Sequence, residues 1–166
     1  TAGLLEVTRQ EGSAEERTSD LPKFEERLTD DIKRVSVETG SYAVTIEGSP
    51  GKEAVIFGTY RGFIGKGAIP LENVADYALI EKQGDTLYIR FKEMPTSRLM
   101  NHGGQVHATL LIPSNVMLDV VGSGRDMEIK PRDLKADWSI DNVGYLNMDM
   151  NEDANITIEA VDLHKL

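Results

Sequence analysis

The stretch that decides the fold is residues 118–158, LDVVGSGRDMEIKPRDLKADWSIDNVGYLNMDMNEDANITI. It contains five pairs of apolar residues in which one other residue separates the two members: Leu118/Val120, Met127/Ile129, Trp138/Ile140, Leu146/Met148 and Ile156/Ile158. Such alternation with a period of two is typical of a short β-strand with one buried face. Every second pair is separated by 20, 19 or 18 residues. We therefore predict a repeat of about 19 residues that contains two short strands.

A repeat of this kind is typical of a single-domain β-solenoid or β-roll. Each coil stacks on the next, and together they bury a thin core that no single coil could bury alone. The segments between the strands, such as 122–126 (GSGRD) and 141–144 (DNVG), have the Gly, Asn and Asp residues that tight corners require. The alternative is an antiparallel β-sandwich, whose strands also recur every ~8–12 residues. We favour the solenoid, because the spacing holds over five consecutive elements.

The same alternation extends upstream to about Phe24. The apolar faces that it predicts are Val35/Val37, Val44/Ile46, Val55/Phe57, Ala78/Ile80, Leu87/Ile89/Phe91 and Val106/Ala108/Leu110/Ile112. Residues 5–23 are instead rich in Glu, Ser, Thr and Arg, so they cannot bury enough surface to offset the entropy of ordering. We therefore predict a polar linker or loosely ordered arm over residues 1–23 and an all-β domain over residues 24–166.

The composition excludes several classes of function. The 166 residues include 18 Lys and Arg against 28 Asp and Glu, which gives a formal charge of −10 and argues against a nucleic-acid surface. The absence of cysteine excludes disulfides and Cys-ligated metals. We predict no cofactor. No apolar run approaches the ~20 residues that span a bilayer, so we expect any membrane tether to lie upstream of residue 1.

Four segments together resemble a known family: 35–48 (VSVETGSYAVTIEG), 111–113 (LIP), 118–124 (LDVVGSG) and 133–137 (DLKAD). The chain is similar, over about residues 24–162, to the bacterial putative-adhesin domains of unknown function, also called toastrack domains. The resemblance implies a β-solenoid-like fold and an extracytoplasmic domain, tethered by an N-terminal membrane segment, in proteins linked to cell-envelope stress. It implies no catalytic motif. The chain departs from the family pattern at residues 58–76, an insertion, and at the charged corner 124–126.

Metal-binding and catalytic motifs are weak. Residues 149–155 (DMNEDAN) alternate acidic and amide side chains like the opening of a calcium loop. An EF-hand would need Gly and Glu where Ala154 and Ala160 stand, so we favour a solvated corner. His107 is expected on the solvent face of its strand. The segment 122–124 (GSG) lacks the spacing of a nucleophile elbow. We predict no metal site and no catalytic residue.

The best candidate for partner binding is the segment 57–68 (FGTYRGFIGKGA), which we interpret as a Gly-rich loop. Aromatic and Arg side chains on a loop are typical of a binding hot spot, and the candidate residues here are Tyr60, Arg61, Phe63 and Ile64. The alternative is that Phe63 and Ile64 fold back and cover an end or flank of the core. Trp138 is expected in the core, because it is in register with Leu118 and Ile156.

These observations favour a non-enzymatic β-solenoid domain at the bacterial cell envelope. We expect it to act through contacts with a protein or an envelope polymer whose identity the sequence does not give. One alternative is a carbohydrate-binding or polysaccharide-cleaving β-helix protein, whose carboxylates would line up on stacked coils. A second alternative is a structural scaffold that assembles by stacking solenoids end to end.

Overall fold

The computed structural model describes residues 15–64, 71–93, 106–123, 125, 127–141, 146–149 and 156–158. The strands in this part of the chain are β1 (Glu15–Asp20), β2 (Phe24–Arg27), β3 (Arg34–Glu38), β4 (Ala43–Ser49), β5 (Glu53–Ile64), β6 (Ala78–Gln83), β7 (Thr86–Phe91), β8 (Val106–Pro113), β9 (Met117–Val121), β10 (Met127–Lys130), β11 (Trp138–Asp141), β12 (Leu146–Met148) and β13 (Ile156–Ile158). One short 3-10 helix (Val74–Asp76) precedes β6. The prediction of an all-β protein is confirmed.

The described strands form two sheets. The order in the seven-stranded sheet is β1-β5-β8-β4-β10-β12, with β2 also paired to β5. The order in the six-stranded sheet is β13-β11-β9-β3-β7-β6. From β8 to β13, consecutive strands lie in different sheets.

The 19-residue repeat appears as strand register. In the six-stranded sheet Trp138 pairs with Leu118 on one side and with Ile156 on the other, 20 and 18 residues away. In the seven-stranded sheet Met127 pairs with Leu146, 19 residues away. All three pairings are parallel. The predicted spacing is therefore confirmed as the register of adjacent strands.

Both sheets are mixed. Strand β5 runs antiparallel to β1, β2 and β8, and β6 runs antiparallel to β7. The other pairings are parallel. The molecule thus combines stacked parallel strands, as expected for a solenoid, with antiparallel flanking strands, as expected for the sandwich alternative.

The inner faces of the two sheets form the core, and apolar side chains stack there from strand to strand. In the six-stranded sheet the two rows are Leu87, Val35, Leu118, Trp138 and Ile89, Val37, Val120, Ile140. In the seven-stranded sheet the rows include Ala108, Val44, Met127 and Leu110, Ile46, Ile129. All of them are at most 4% exposed. Because each buried Val, Leu or Ile contributes about 1.5–3 kcal/mol, these rows dominate the stability.

Part of the predicted polar arm is ordered. Residues Glu15–Asp20 form β1 and pair with the second half of β5. Leu21 is buried, and its N–H donates to the carbonyl oxygen of Gly58 at 2.8 Å. The sequence EERTSD has no apolar alternation, so its pattern did not predict a strand. The strand is held by its backbone pairing with β5. Residues 1–14 lie outside the described part.

The predicted face of β5 is wrong by one residue. We expected Val55 and Phe57 to point inward, but Ala54 and Ile56 are fully buried while Phe57 is 42% exposed. The segment AVIF is apolar at four consecutive positions, so its alternation allows either face, and a shift of one residue turns every side chain over. An aromatic side chain expected in the core is therefore on the surface.

Two buried tyrosines, Tyr42 just before β4 and Tyr77 just before β6, form hydrogen bonds with neighbouring backbone. The Tyr42 hydroxyl donates to the carbonyl oxygen of Lys92 at 2.5 Å, and the Tyr77 hydroxyl donates to that of Pro22 at 2.6 Å. Both rings contact Phe91, with centroid distances of 5.0 and 6.3 Å. Burial raises the pKa of Tyr77 to about 12, and burial and then the neighbouring Tyr77 raise the pKa of Tyr42 well above its usual range.

Candidate functional site

The segment predicted as a Gly-rich binding loop begins as a strand. Its residues up to Ile64 belong to β5, which lies between β1 and β8. Tyr60 is only 6% exposed, and its hydroxyl accepts a hydrogen bond from the N–H of Leu71 at 3.2 Å. The loop prediction is wrong for residues 57–64, because β5 continues through Gly58 and Gly62 and pairs with β1. The ring of Tyr60 belongs to the core and is not available to a partner.

The other three candidate residues lie further along β5. Arg61 is exposed and pairs across the strands with Thr18 of β1. Phe63 and Ile64 pair through their backbones with Glu16 and Glu15, and their side chains lie outside the described part. A binding role for Arg61, Phe63 and Ile64 stays a prediction.

An exposed apolar patch lies on the outer face of the seven-stranded sheet, and we call Val55, Phe57 and Leu111 the Phe57 patch. Phe57 is 42% exposed, and the other two are half-buried. Val55 and Leu111 are cross-strand partners, so the three side chains are neighbours on one surface. The shallow groove that they line has a volume of about 600 Å³ and is also bordered by Lys23, Glu25, Ser49 and Glu53.

Charged groups surround the Phe57 patch. The Lys23 ammonium forms an ion pair with the Glu25 carboxylate at 3.3 Å, and both side chains are more than half exposed. Arg61 follows four residues after Phe57 and, by the alternation of β5, lies on the same face. An apolar centre with a charged border is the usual composition of a protein interface.

A second groove lies on the outer face of the six-stranded sheet, and we call it the Tyr88 groove. Tyr88 is 43% exposed and Leu79 is 42% exposed. The groove has a volume of about 310 Å³, and its lining residues are Ser36, Glu38, Leu79, Glu81, Gln83, Tyr88, Ile89 and Arg90. Its border contains hydrogen-bond donors and acceptors in similar number, so it differs in chemistry from the Phe57 patch.

The sequence carried a signal for Tyr88 that the motif search did not use. In the segment TLYIRF the residues Leu87, Ile89 and Phe91 form the predicted buried face, and the structure confirms their burial. The same alternation necessarily places Tyr88 and Arg90 on the solvent face. The exposure of this aromatic residue could therefore be predicted from the sequence.

Of the residues considered for metal binding, the structure describes His107 and Asp149, and each has its own partner. His107 is exposed on β8, as predicted, and one ring nitrogen lies 3.3 Å from the Thr45 hydroxyl. Asp149 forms an ion pair with Arg132 at 3.1 Å, and residues 150–155 of the calcium-like segment lie outside the described part. Among the described residues, no three His, Asp or Glu side chains come together as a metal site. Trp138 is in the core, as predicted.

Ser123, which follows β9, contacts a neighbouring corner of the fold. The Ser123 hydroxyl donates a hydrogen bond to the carbonyl oxygen of Gly40, which belongs to the corner between β3 and β4. The hydroxyl therefore connects two neighbouring corners.

Comparison with known proteins gives limited information. No family model matches the chain, and no curated protein matches it. A solved structure, that of a putative adhesin from Parabacteroides merdae, is similar with a TM-score of 0.37 and 15% identity, over 89% of this chain and 57% of that one. The chain thus spans little more than half of that structure. Within the described residues, no helix is long and apolar enough to cross a membrane.

Proposed function

We propose that this chain is a non-enzymatic contact domain that binds a protein partner through the Phe57 patch. The exposure of Phe57 is the observation that carries the proposal. Phe57 keeps 42% of its surface exposed, and burial of that surface against a partner would recover part of the about 1.5–3 kcal/mol that complete burial of such a side chain contributes. Its surroundings, an apolar centre with charged residues at the border, are those of a binding hot spot.

The position of the patch supports the same function. Phe57 lies on β5, which is paired on both sides, with β1 and β2 on one side and β8 on the other. A side chain presented by an inner strand is held by the sheet and loses little conformational freedom when it binds. Arg61, on the same face, is the part of the predicted hot spot that this surface retains.

We propose an extracytoplasmic setting for this domain. The support is the resemblance of residues 24–162 to the toastrack domains, which implies a β-solenoid-like domain tethered near the cell envelope by an upstream membrane segment. The parallel registers of β9, β11 and β13, and of β4, β10 and β12, favour the solenoid description for the C-terminal strands.

The proposal can be tested by site-specific photo-crosslinking of the full-length protein in its native cells. A benzophenone amino acid replaces Phe57 in one variant and the exposed Val121, on the six-stranded sheet, in a matched control. We expect a covalent protein adduct at position 57 that is absent at position 121. The absence of a protein adduct at position 57, or equal adducts at both positions, would contradict the proposal.

The compartment has its own measurement. Fractionation of the same cells, followed by protease treatment of intact cells or spheroplasts, shows on which side of the membrane the domain lies. We expect the domain to be digested from outside. Protection in intact spheroplasts would contradict the extracytoplasmic setting while leaving the Phe57 contact testable.

A further inference from the structure

The Tyr88 groove is an ordered array of six side-chain positions. Cross-strand pairing places Glu81, Tyr88 and Ser36 in one row on β6, β7 and β3. It places Leu79, Arg90 and Glu38 in the next row of the same strands. Neighbouring strands are about 4.8 Å apart and alternate residues about 7 Å apart along a strand, so the array measures roughly 10 Å by 7 Å.

The floor of the array is apolar and open. Tyr88 occupies the middle of its row, between the carboxylate of Glu81 and the small side chain of Ser36. Because Ser36 ends at its hydroxymethyl group, it leaves that side of the tyrosine uncovered. Leu79 extends the apolar surface along β6. A flat ligand with one apolar face could therefore stack on this floor.

The polar groups around the floor are available to a ligand. Within the described part of the chain, the side chains of Tyr88, Arg90 and Glu38 form no hydrogen bond or ion pair with any other described residue. Glu81 accepts one hydrogen bond from the Gln83 amide at 3.3 Å. Arg90 offers up to five N–H donors, whereas Glu38 and Glu81 offer acceptors.

Size and charge decide which ligand class fits. A footprint of about 70 Å² is about a tenth of the ~800 Å² that one partner contributes to a standard protein interface. Two carboxylates against one guanidinium make the groove slightly acidic, which disfavours phosphates, nucleic acids and anionic lipid surfaces. The ligand should be small in cross-section, uncharged, apolar on one face and rich in hydroxyls at its edge.

We infer that the Tyr88 groove binds a short segment of a neutral polysaccharide. The C–H face of a pyranose ring stacks on Tyr88, since the electron-rich face of the aromatic ring attracts positively polarised hydrogens. Sugar hydroxyls accept hydrogen bonds from Arg90 and donate them to Glu38 or Glu81. This second site is on the opposite sheet from the Phe57 patch, so it does not depend on the proposed protein contact.

The test is a microarray of immobilised polysaccharides that includes neutral glucans, mannans, galactans and xylans, together with acidic hyaluronan and pectin. The intact protein is compared with Tyr88→Ala, with Tyr88→Trp, and with Phe57→Ala as a matched control on the other sheet. The neutral polysaccharide with the strongest signal is then titrated by calorimetry. Circular dichroism spectra establish that each variant is folded.

We expect binding to at least one neutral polysaccharide, a loss of roughly tenfold or more in affinity for Tyr88→Ala, and retention in Tyr88→Trp and Phe57→Ala. Three results would overturn the inference: no binding to any neutral polysaccharide, equal affinity in the Tyr88→Ala variant, or binding confined to the acidic polysaccharides. None of these results bears on crosslinking at position 57, so the two proposals fail separately.

Discussion

Gly58 on β5 and the backbone of His107 on β8 are closer together than any side chain at position 58 would allow. A Cβ atom at Gly58 would lie 2.1 Å from the carbonyl oxygen of His107 and 3.0 Å from the Cα of Ala108. The glycine also has a φ of +156°, which side chains rarely adopt. A glycine within a strand commonly marks such a close backbone approach. Here it allows β5 and β8 to pair directly beneath the Phe57 patch.

The first prediction is that Gly58→Ala strongly destabilises the protein. The methyl group would force β5 away from β8, and overpacking of this kind costs about 1–3 kcal/mol or more. Urea unfolding followed by circular dichroism measures the change. The matched control is Gly84→Ala in the turn between β6 and β7, where φ is +60° but no atom lies within 4 Å of the added Cβ. Equal destabilisation by the two variants would show that the contact with His107 is unimportant.

The second prediction concerns Trp138, which is fully buried although its indole N–H has no hydrogen-bond partner among the described residues. An unsatisfied buried donor costs about 1–3 kcal/mol. Tryptophan→phenylalanine removes this penalty along with some volume, so we expect Trp138→Phe to cost less than about 2 kcal/mol. Trp138→Ala leaves a large cavity and should cost about 3–5 kcal/mol.

The free energies of unfolding of both Trp138 variants are measured by circular dichroism, because the chain contains one tryptophan and fluorescence would be lost. A phenylalanine variant as unstable as the alanine variant would show that the unpaired N–H carries no penalty.

Much of the C-terminal half was predictable from sequence because its strands are regular. Each strand from β9 onward carries one apolar pair bounded by corner residues, so the pairing of Trp138 with Leu118 and Ile156 follows from counting. In β5 four consecutive residues are apolar, so the pattern fits either face of the strand, and we predicted the wrong face to be buried. β1 has no apolar pattern at all, since its pairing depends on the backbone of β5.

The candidate surfaces were harder to predict than the strands. Composition drew attention to the segment that begins at Phe57, but motif reasoning selected Tyr60, which is buried in the core. Whether an aromatic residue faces the core or solvent depends on the parity of its position in the strand, and parity is fixed by tertiary pairing. For Tyr88 the apolar neighbours Leu87 and Ile89 indicate that the tyrosine lies on the exposed face. For Phe57 the neighbouring residues are also apolar and give no such indication.

The third prediction is a loss of stability at alkaline pH. The pKa of Tyr77 is raised by burial to about 12, and that of Tyr42 is also raised, from an ordinary value of 10.0. Above pH 10 the unfolded chain releases these protons while the folded chain keeps them, so the unfolded state binds fewer protons and the free energy of unfolding falls as pH rises. Below pH 10 these two groups add no pH dependence.

Urea unfolding at several values between about pH 8 and pH 12 measures the slope of this fall. Tyr77→Phe should reduce the slope, because one of the two buried groups no longer titrates. It should also lower the stability at neutral pH, since the hydrogen bond to the Pro22 carbonyl is lost. A slope in Tyr77→Phe equal to that of the unmodified protein would refute the assignment.

The last prediction concerns the edge strand β6 and the scaffold alternative. Lys82 lies on the same face of β6 as the inward residues Ala78 and Ile80. Its ammonium forms an ion pair with Glu26 of β2 at 2.8 Å. The pair therefore connects β6, at the edge of the six-stranded sheet, with β2 of the seven-stranded sheet. Inward-pointing charges on edge strands are a known protection against edge-to-edge association, so the pair opposes stacking of a second copy here.

We expect Lys82→Val to increase self-association with little change in stability, because an ion pair near the surface contributes little to folding. Sedimentation velocity over a range of protein concentrations measures the association. Lys130→Val removes an ion pair on β10, in the other sheet, and should leave the sedimentation unchanged. If Lys82→Val sediments like the unmodified protein at every concentration, the charge does not protect the edge. Assembly of the unmodified protein through β6 would instead favour the scaffold.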